Sequence, residues 1–111
     1  MGYEVRTVGQ YGVVENVRGT SSATPPEGCE SWIDFWKKHT GLDIPSICQN
    51  DLCEHTREEQ EIVGAHVRFF LEDDIWIVPL CAACNAAGPG QMILLPSGTK
   101  AVKVDAAKKE P

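Results

Sequence analysis

Two stretches decide how this chain folds: ICQNDLCEH at residues 47–55 and PLCAACN at residues 79–85. Each carries a close cysteine pair, Cys48-x4-Cys53 and Cys81-x2-Cys84, and 27 residues lie between the pairs. Two short-spaced pairs separated by a length of chain are the pattern that brings four thiolates to one tetrahedral Zn²⁺. In the first pair, Asn50 and Asp51 suit a tight turn that aims both sulfurs at one point. The second suits a helix start, where residues three apart share a face and the positive helix end favours thiolates. The pattern therefore predicts a structural zinc site with Cys48, Cys53, Cys81 and Cys84 as the metal ligands. Disulfides are the competing arrangement; they require an oxidising compartment, and five cysteines leave one thiol over. Unlinked buried cysteines are the third alternative. Cys29, with 18 residues between it and Cys48, falls outside both pairs and reads as a small buried or half-buried thiol at a helix entry, with direct zinc ligation in place of a member of the first pair as the lesser alternative. His55, two residues after Cys53, reads as a loop histidine, with ligation of the ion as the lesser alternative.

Between the pairs, AHVRFFL (65–71) and IWIVPL (75–80) are apolar, β-rich runs joined by Glu72-Asp73-Asp74. They predict a β-hairpin with an acidic, solvated tip. Thr56 to Glu59 matches a capping box and predicts a short helix through Ile62. Upstream, SWIDFWKKHTG (31–41) places Trp32, Ile33 and Trp36 on one helical face, with Asp34, Lys37 and Lys38 away from it and Gly41 as a stop. At that spacing the aromatic side chains read as core rather than as a platform for stacking bases. YEVRTV (3–8) and GVVENV (12–17) read as strands around a GQYG turn, and residues 18–28 as a loop. Residues 91–95 and 100–104 around Pro96-Ser97-Gly98 read as a last hairpin. Residues 1–105 are expected to form a single domain, followed by a frayed tail at 106–111.

The chain has 111 residues, enough for one small globular domain whose marginal core gains from an added staple. No apolar run approaches the ~20 residues of a membrane helix, and MGYEVRTVGQ offers no signal core. Arg6 stands where myristoylation wants Ser or Thr. The expectation is a cytoplasmic protein without membrane contact. The net charge of −6 is uneven: residues 46–95 hold two basic and eight acidic groups, whereas residues 96–111 hold four basic and two acidic. Phosphate backbones are gripped by Lys and Arg. A central segment whose only cations are Arg57 and Arg68 is poorly suited to nucleic acid.

A knuckle with a cysteine pair, a β-hairpin, then a helix carrying CxxC is the treble-clef arrangement. At GAHV (64–67) and IVPLCAACN (77–85) the chain resembles small bacterial and phage zinc proteins related to HNH endonucleases. SWIDFWKKHTG and the upstream NVRGTSS (16–22) resemble the same group, so the likeness spans residues 16 to about 85. It implies an α+β fold: a small, zinc-stabilised, HNH-like ββα treble clef with extra N- and C-terminal strands and one amphipathic helix.

For chemistry, the resemblance implies that His66, at the opening of the hairpin, occupies the place of the general base. Asn85 stands where a histidine commonly binds the catalytic Mg²⁺ or similar ion. Ala65 stands where an acidic or histidine ligand usually precedes the base, and no asparagine occupies the central position near Ile75 or Trp76. Phosphodiester cleavage needs a positioned base and a hard cation held by oxygen ligands. His66 with one amide oxygen is a thin site, and a zinc ion with four thiolates adds two negative charges beside it. The expectation is therefore a non-catalytic interaction module with a structural four-cysteine zinc site, acting on a protein partner. The alternative is a nuclease dependent on Mg²⁺ or Mn²⁺, with His66 as base and Asn85 as ion ligand. In the non-catalytic case His66 bonds a cysteine sulfur or a carbonyl, and Asn85 bonds within the helix start. Nucleic-acid binding without catalysis, through Lys100, Lys103, Lys108 and Lys109 or the helix lysines, ranks last.

Overall fold

A computed structural model of the chain describes residues 3–10, 12–17, 25–53, 55–86 and 91–104. Among the described residues the apolar runs form six strands: β1 (Val5–Thr7), β2 (Gly12–Asn16), β3 (Ile62–Phe69), β4 (Trp76–Cys81), β5 (Met92–Leu95) and β6 (Lys100–Lys103). Two helices accompany them, α1 (Trp32–Thr40) and α2 (Ala82–Ala86). All strand pairings are antiparallel, in one sheet of order β1-β6-β4-β3-β2-β5.

That order requires curvature. Residues 8–11 join β1 to β2, and residues 96–99 join β5 to β6. In a flat sheet each connection would cross four inter-strand spacings, about 19 Å. Five Cα steps reach at most roughly 18 Å. The sheet instead curls until the two connections meet. The Val8 N–H donates to Thr99 O (2.9 Å), the Gly98 N–H to Val8 O (2.7 Å) and the Ser97 hydroxyl to Gly9 O (3.0 Å).

Strict alternation then gives the sheet two apolar faces. On the inner face, Ala65, Val67 and Phe69 of β3 meet Val78 and Leu80 of β4, Val14 of β2, Ile93 and Leu95 of β5, and Ala101 of β6. On the outer face Ile77 and Val102, partners in register, are covered by Phe35 and Trp36 of α1. α1 is well defined at both ends. Ser31 accepts the Asp34 N–H (3.2 Å), and Gly41, at φ 74°, donates its N–H to Lys37 O (2.8 Å). The Trp36 indole N–H donates to Lys100 O (2.9 Å), anchoring the helix to β6.

Several local expectations are corrected. Neither expected terminal hairpin forms: β1 pairs with β6 and β2 with β3 and β5, while β5 pairs with β2 rather than β6. The 96–99 connection turns as expected, with Gly98 at φ 92° and the Thr99 N–H on Pro96 O (3.2 Å), but carries the chain across the curl. At Thr56 half of the capping box forms, the Thr56 N–H donating to Glu59 Oε1 (3.0 Å), while the Glu59 N–H goes to the Thr56 carbonyl (3.0 Å) and a turn, not a helix, follows. Ile62 is claimed by the sheet, opposite Cys81, so β3 begins where a helix was expected to end. Phe35 is the most deeply buried side chain of α1, ahead of the half-buried Trp32 and Ile33. The central β3–β4 hairpin forms as expected. The tail at 106–111 and the Gly88–Gly90 break lie outside the described residues.

Candidate metal centre

Cys48 and Cys53 bracket a tight knuckle. The Cys53 N–H donates to Asn50 O (2.9 Å), and the Cys48 N–H to His55 O (3.0 Å). Asn50 is buried, and its Oδ1 accepts the Leu52 N–H (3.1 Å), closing the turn through the side chain. The second pair straddles a junction: Cys81 is the last residue of β4, and Cys84 lies within the single turn of α2. The hairpin delivers Cys81 beside the knuckle, and the turn that follows carries Cys84 back to the same point.

The four sulfurs of Cys48, Cys53, Cys81 and Cys84 all lie within 4.8 Å of one another. Cys48 and Cys84 are 3.8 Å apart, as are Cys53 and Cys81. For thiolates about 2.3 Å from a central Zn²⁺, tetrahedral geometry sets sulfur–sulfur edges near 3.8 Å. The donor set and spacing thus suit one tetrahedral metal ion. None of the five cysteines is in a disulfide, and Cys29 packs against the hydrophobic group of Phe35, Trp36, Ile77 and Val102, outside the sulfur cluster.

Each sulfur also accepts an N–H. Cys81 N donates to Cys48 Sγ (3.2 Å), Cys84 N to Cys81 Sγ (3.4 Å), His55 N to Cys53 Sγ (3.5 Å) and Asn50 Nδ2 to Cys84 Sγ (3.6 Å). Such donors disperse the charge of a metal–thiolate cluster. His55 Nδ1 stands 3.4 Å from Cys53 Sγ and 3.6 Å from Cys81 Sγ, a neighbour of two sulfurs rather than a member of the group of four. Without an ion, burial favours the protonated thiol at Cys48 and Cys84. Burial pushes the Cys48 thiol up to about 11 against the pull of the Cys81 and Asn50 backbone N–H groups. Burial likewise raises Cys84, with the Asn50 amide opposing it. At Cys81 burial also pushes upward, but the Cys84 N–H and the neighbouring sulfurs outweigh it and hold the thiol below its ordinary value. A divalent cation would replace those protons. A cleft of about 260 Å³ beside Asn50, Cys53, His55, Cys84 and Gln91 gives it a route in.

His66 and Asn85 occupy different surroundings. His66 is on β3 opposite Ile77, 7% exposed, with its ring edge-on to Trp32 at 4.6 Å. Asn85 is exposed on α2. Among the described residues His66 belongs to no group of three His, Cys, Asp or Glu side chains close enough to share an ion. Ala65 is fully buried on the inner face, and Trp76 is buried as well. The role of Asn50, reaching both sulfur pairs, was missed in the sequence, where it signalled only a turn. Among the described residues no helix is long and apolar enough to cross a membrane. No protein-family model, no curated protein and no solved structure matches the chain.

Proposed function

We propose that this protein is a zinc-binding, HNH-like treble-clef module that acts by contacting a protein partner in the cytoplasm and not by catalysis. The observation that carries the zinc assignment is the sulfur cluster, whose 3.8 Å pairs have the edge length of a zinc–thiolate tetrahedron. The sequence of knuckle, β3–β4 hairpin and α2 supports the treble-clef reading, with β1, β2, β5 and β6 wrapped around it. Zinc in such a site contributes folding free energy on the order of 10 kcal/mol at neutral pH, a large contribution beside so small a core.

The non-catalytic reading is supported by His66, whose ring is enclosed between the sheet and Trp32, and by the fully buried Ala65 beside it. The partner reading is supported by apolar side chains that folding leaves in water: Phe70, Leu71 and Met92 are 68%, 88% and 56% exposed. They flank a groove of about 440 Å³ crossed by the Arg68–Glu15 ion pair (2.7 Å).

Elemental analysis of the purified chain, followed by chelation under circular dichroism, tests the zinc assignment. One zinc per chain and a melting temperature that collapses on chelation are expected. Metal-free protein with an unmoved melting curve would refute it. Plasmid cleavage in Mg²⁺ or Mn²⁺, lost on His66→Ala, would refute the non-catalytic reading.

A further inference from the structure

The polar atoms of Asn50 are distributed over three parts of the molecule. Its side-chain oxygen accepts the N–H of Leu52 within the knuckle (3.1 Å) and the N–H of Leu94 on β5 (3.2 Å). Its side-chain nitrogen donates to the sulfur of Cys84, from the other cysteine pair (3.6 Å), and its carbonyl accepts the Cys53 N–H (2.9 Å). The residue is 7% exposed. Among the described residues β5 is the last strand of the sheet, and no strand lies beyond its outward backbone groups. At Leu94 those groups are both taken by the knuckle: the N–H by Asn50 Oδ1, and the carbonyl by the Asp51 N–H (2.7 Å).

We propose that Asn50 is a positioning residue for the metal centre that also couples its occupancy to the closure of the β5 sheet edge. The inference rests on the zinc reading above and adds what the ion controls. With the four sulfurs drawn onto one ion, the knuckle is fixed and Asn50 is held with both faces of its amide engaged. Leu94 then has its outward hydrogen bonds satisfied. Without the ion, the sulfurs of Cys48 and Cys53 are no longer tied to those of Cys81 and Cys84. The knuckle then leaves β5, and the edge at Leu94 opens to water. The amide suits both tasks because it supplies an acceptor and a donor on one planar group. A carboxylate would keep the acceptor but turn a negative oxygen toward the Cys84 sulfur.

The test uses the full chain, Zn²⁺ titrated against a chromophoric chelator, and amide exchange at Leu52 and Leu94 with and without the metal. In the wild type, zinc is expected to slow exchange at both amides. Asn50→Ala is expected to weaken zinc binding about 10- to 100-fold and to leave Leu94 exchanging equally fast with and without zinc. Asn50→Asp is expected to keep Leu52 and Leu94 protected in the loaded protein yet to lose affinity for zinc. That variant decides the matter should Asn50→Ala fail to fold. Wild-type zinc affinity in a folded Asn50→Ala or in Asn50→Asp would overturn the proposal, as would wild-type Leu94 protection that ignores zinc. A wild-type chain that takes up no zinc would instead sink the metal reading beneath it.

Discussion

Gly64 lies against the backbone of Trp32 with no room for a side chain between them. A Cβ at position 64 would stand 2.5 Å from the Trp32 carbonyl carbon, 2.6 Å from the Ile33 nitrogen and 2.7 Å from the Trp32 oxygen. Because all three contacts are backbone, no rotamer change relieves them. The first turn of α1 therefore rests on β3 at this glycine. It brings the Trp32 ring to the edge of His66 and Phe35 down onto Ile77.

Gly64→Ala is accordingly expected to push the start of α1 away from the sheet. Overpacking of this kind costs about 1–3 kcal/mol. In a domain of this size each kcal/mol lowers the melting temperature by roughly 4–8 °C. Urea denaturation checks it: the midpoint should fall while the slope stays constant, and zinc content should stay at the wild-type value. An unchanged midpoint would mean that the close approach is not a constraint.

What the sequence made legible was local. Ser31 and Gly41 announce the ends of α1 because a cap is a relation between residues three or four apart. The cysteine pairs announce the sulfur cluster because metal geometry limits the spacing within each pair, whatever the intervening chain does. Strand neighbours were less legible. Alternation fixes which face of β2 or β5 is buried, yet it does not say that Val14 lies opposite Ile93 or Val5 opposite Val102. Thr56 and Glu59 make one of the two capping-box bonds and start no helix, because the pairing of Ile62 with Cys81 outweighs local preference. The burial of His66 and the reach of Asn50 to Leu94 are tertiary facts, set by where α1 and β5 dock.

Loading of the metal centre should release protons. The metal-free Cys48 thiol is pushed up to about 11 by burial, and Cys84 is raised as well, so both hold their protons at neutral pH. Zinc must displace them, so apparent affinity should rise with pH and fall on acidification, by about tenfold per pH unit for each proton released. Calorimetry in buffers of different ionisation enthalpy counts those protons directly. At least two are expected at pH 7, and a pH-independent affinity would contradict the thiolate assignment.

A second pH effect belongs to the fold alone. His39, at the end of α1, sits between the rings of Tyr3 (4.8 Å) and Phe35 (4.9 Å). Burial lowers its pKa below 6.5, and the adjacent Lys38 lowers it further. The unfolded chain therefore takes the proton first. Stability is full above about pH 6.5, declines as the pH drops through that value, and levels off below the folded-state pKa. His39→Gln should remove this part of the acid sensitivity. Unfolding free energies measured from pH 8 to 5, at fixed zinc, check it: the variant's curve should be the flatter of the two.

The central hairpin turns sharply at its tip. The Glu72 N–H closes a turn onto Phe69 O (3.0 Å), and Leu71, its third residue, has φ 66°. A side chain in that left-handed region costs about 1–2 kcal/mol, and glycine escapes the cost. Leu71 is 88% exposed and recovers little by packing. Leu71→Gly should therefore leave stability unchanged or raise it by up to about 1 kcal/mol, the relief being partly offset by glycine's greater freedom in the unfolded chain. Leu71→Val, whose branched Cβ tolerates positive φ worse, should lower it by a similar amount. Both are read from thermal melts. If the exposed leucine serves partner contact, Leu71→Gly should also weaken association with that protein while the fold is kept. A destabilised glycine variant would show instead that the Leu71 side chain supports the hairpin.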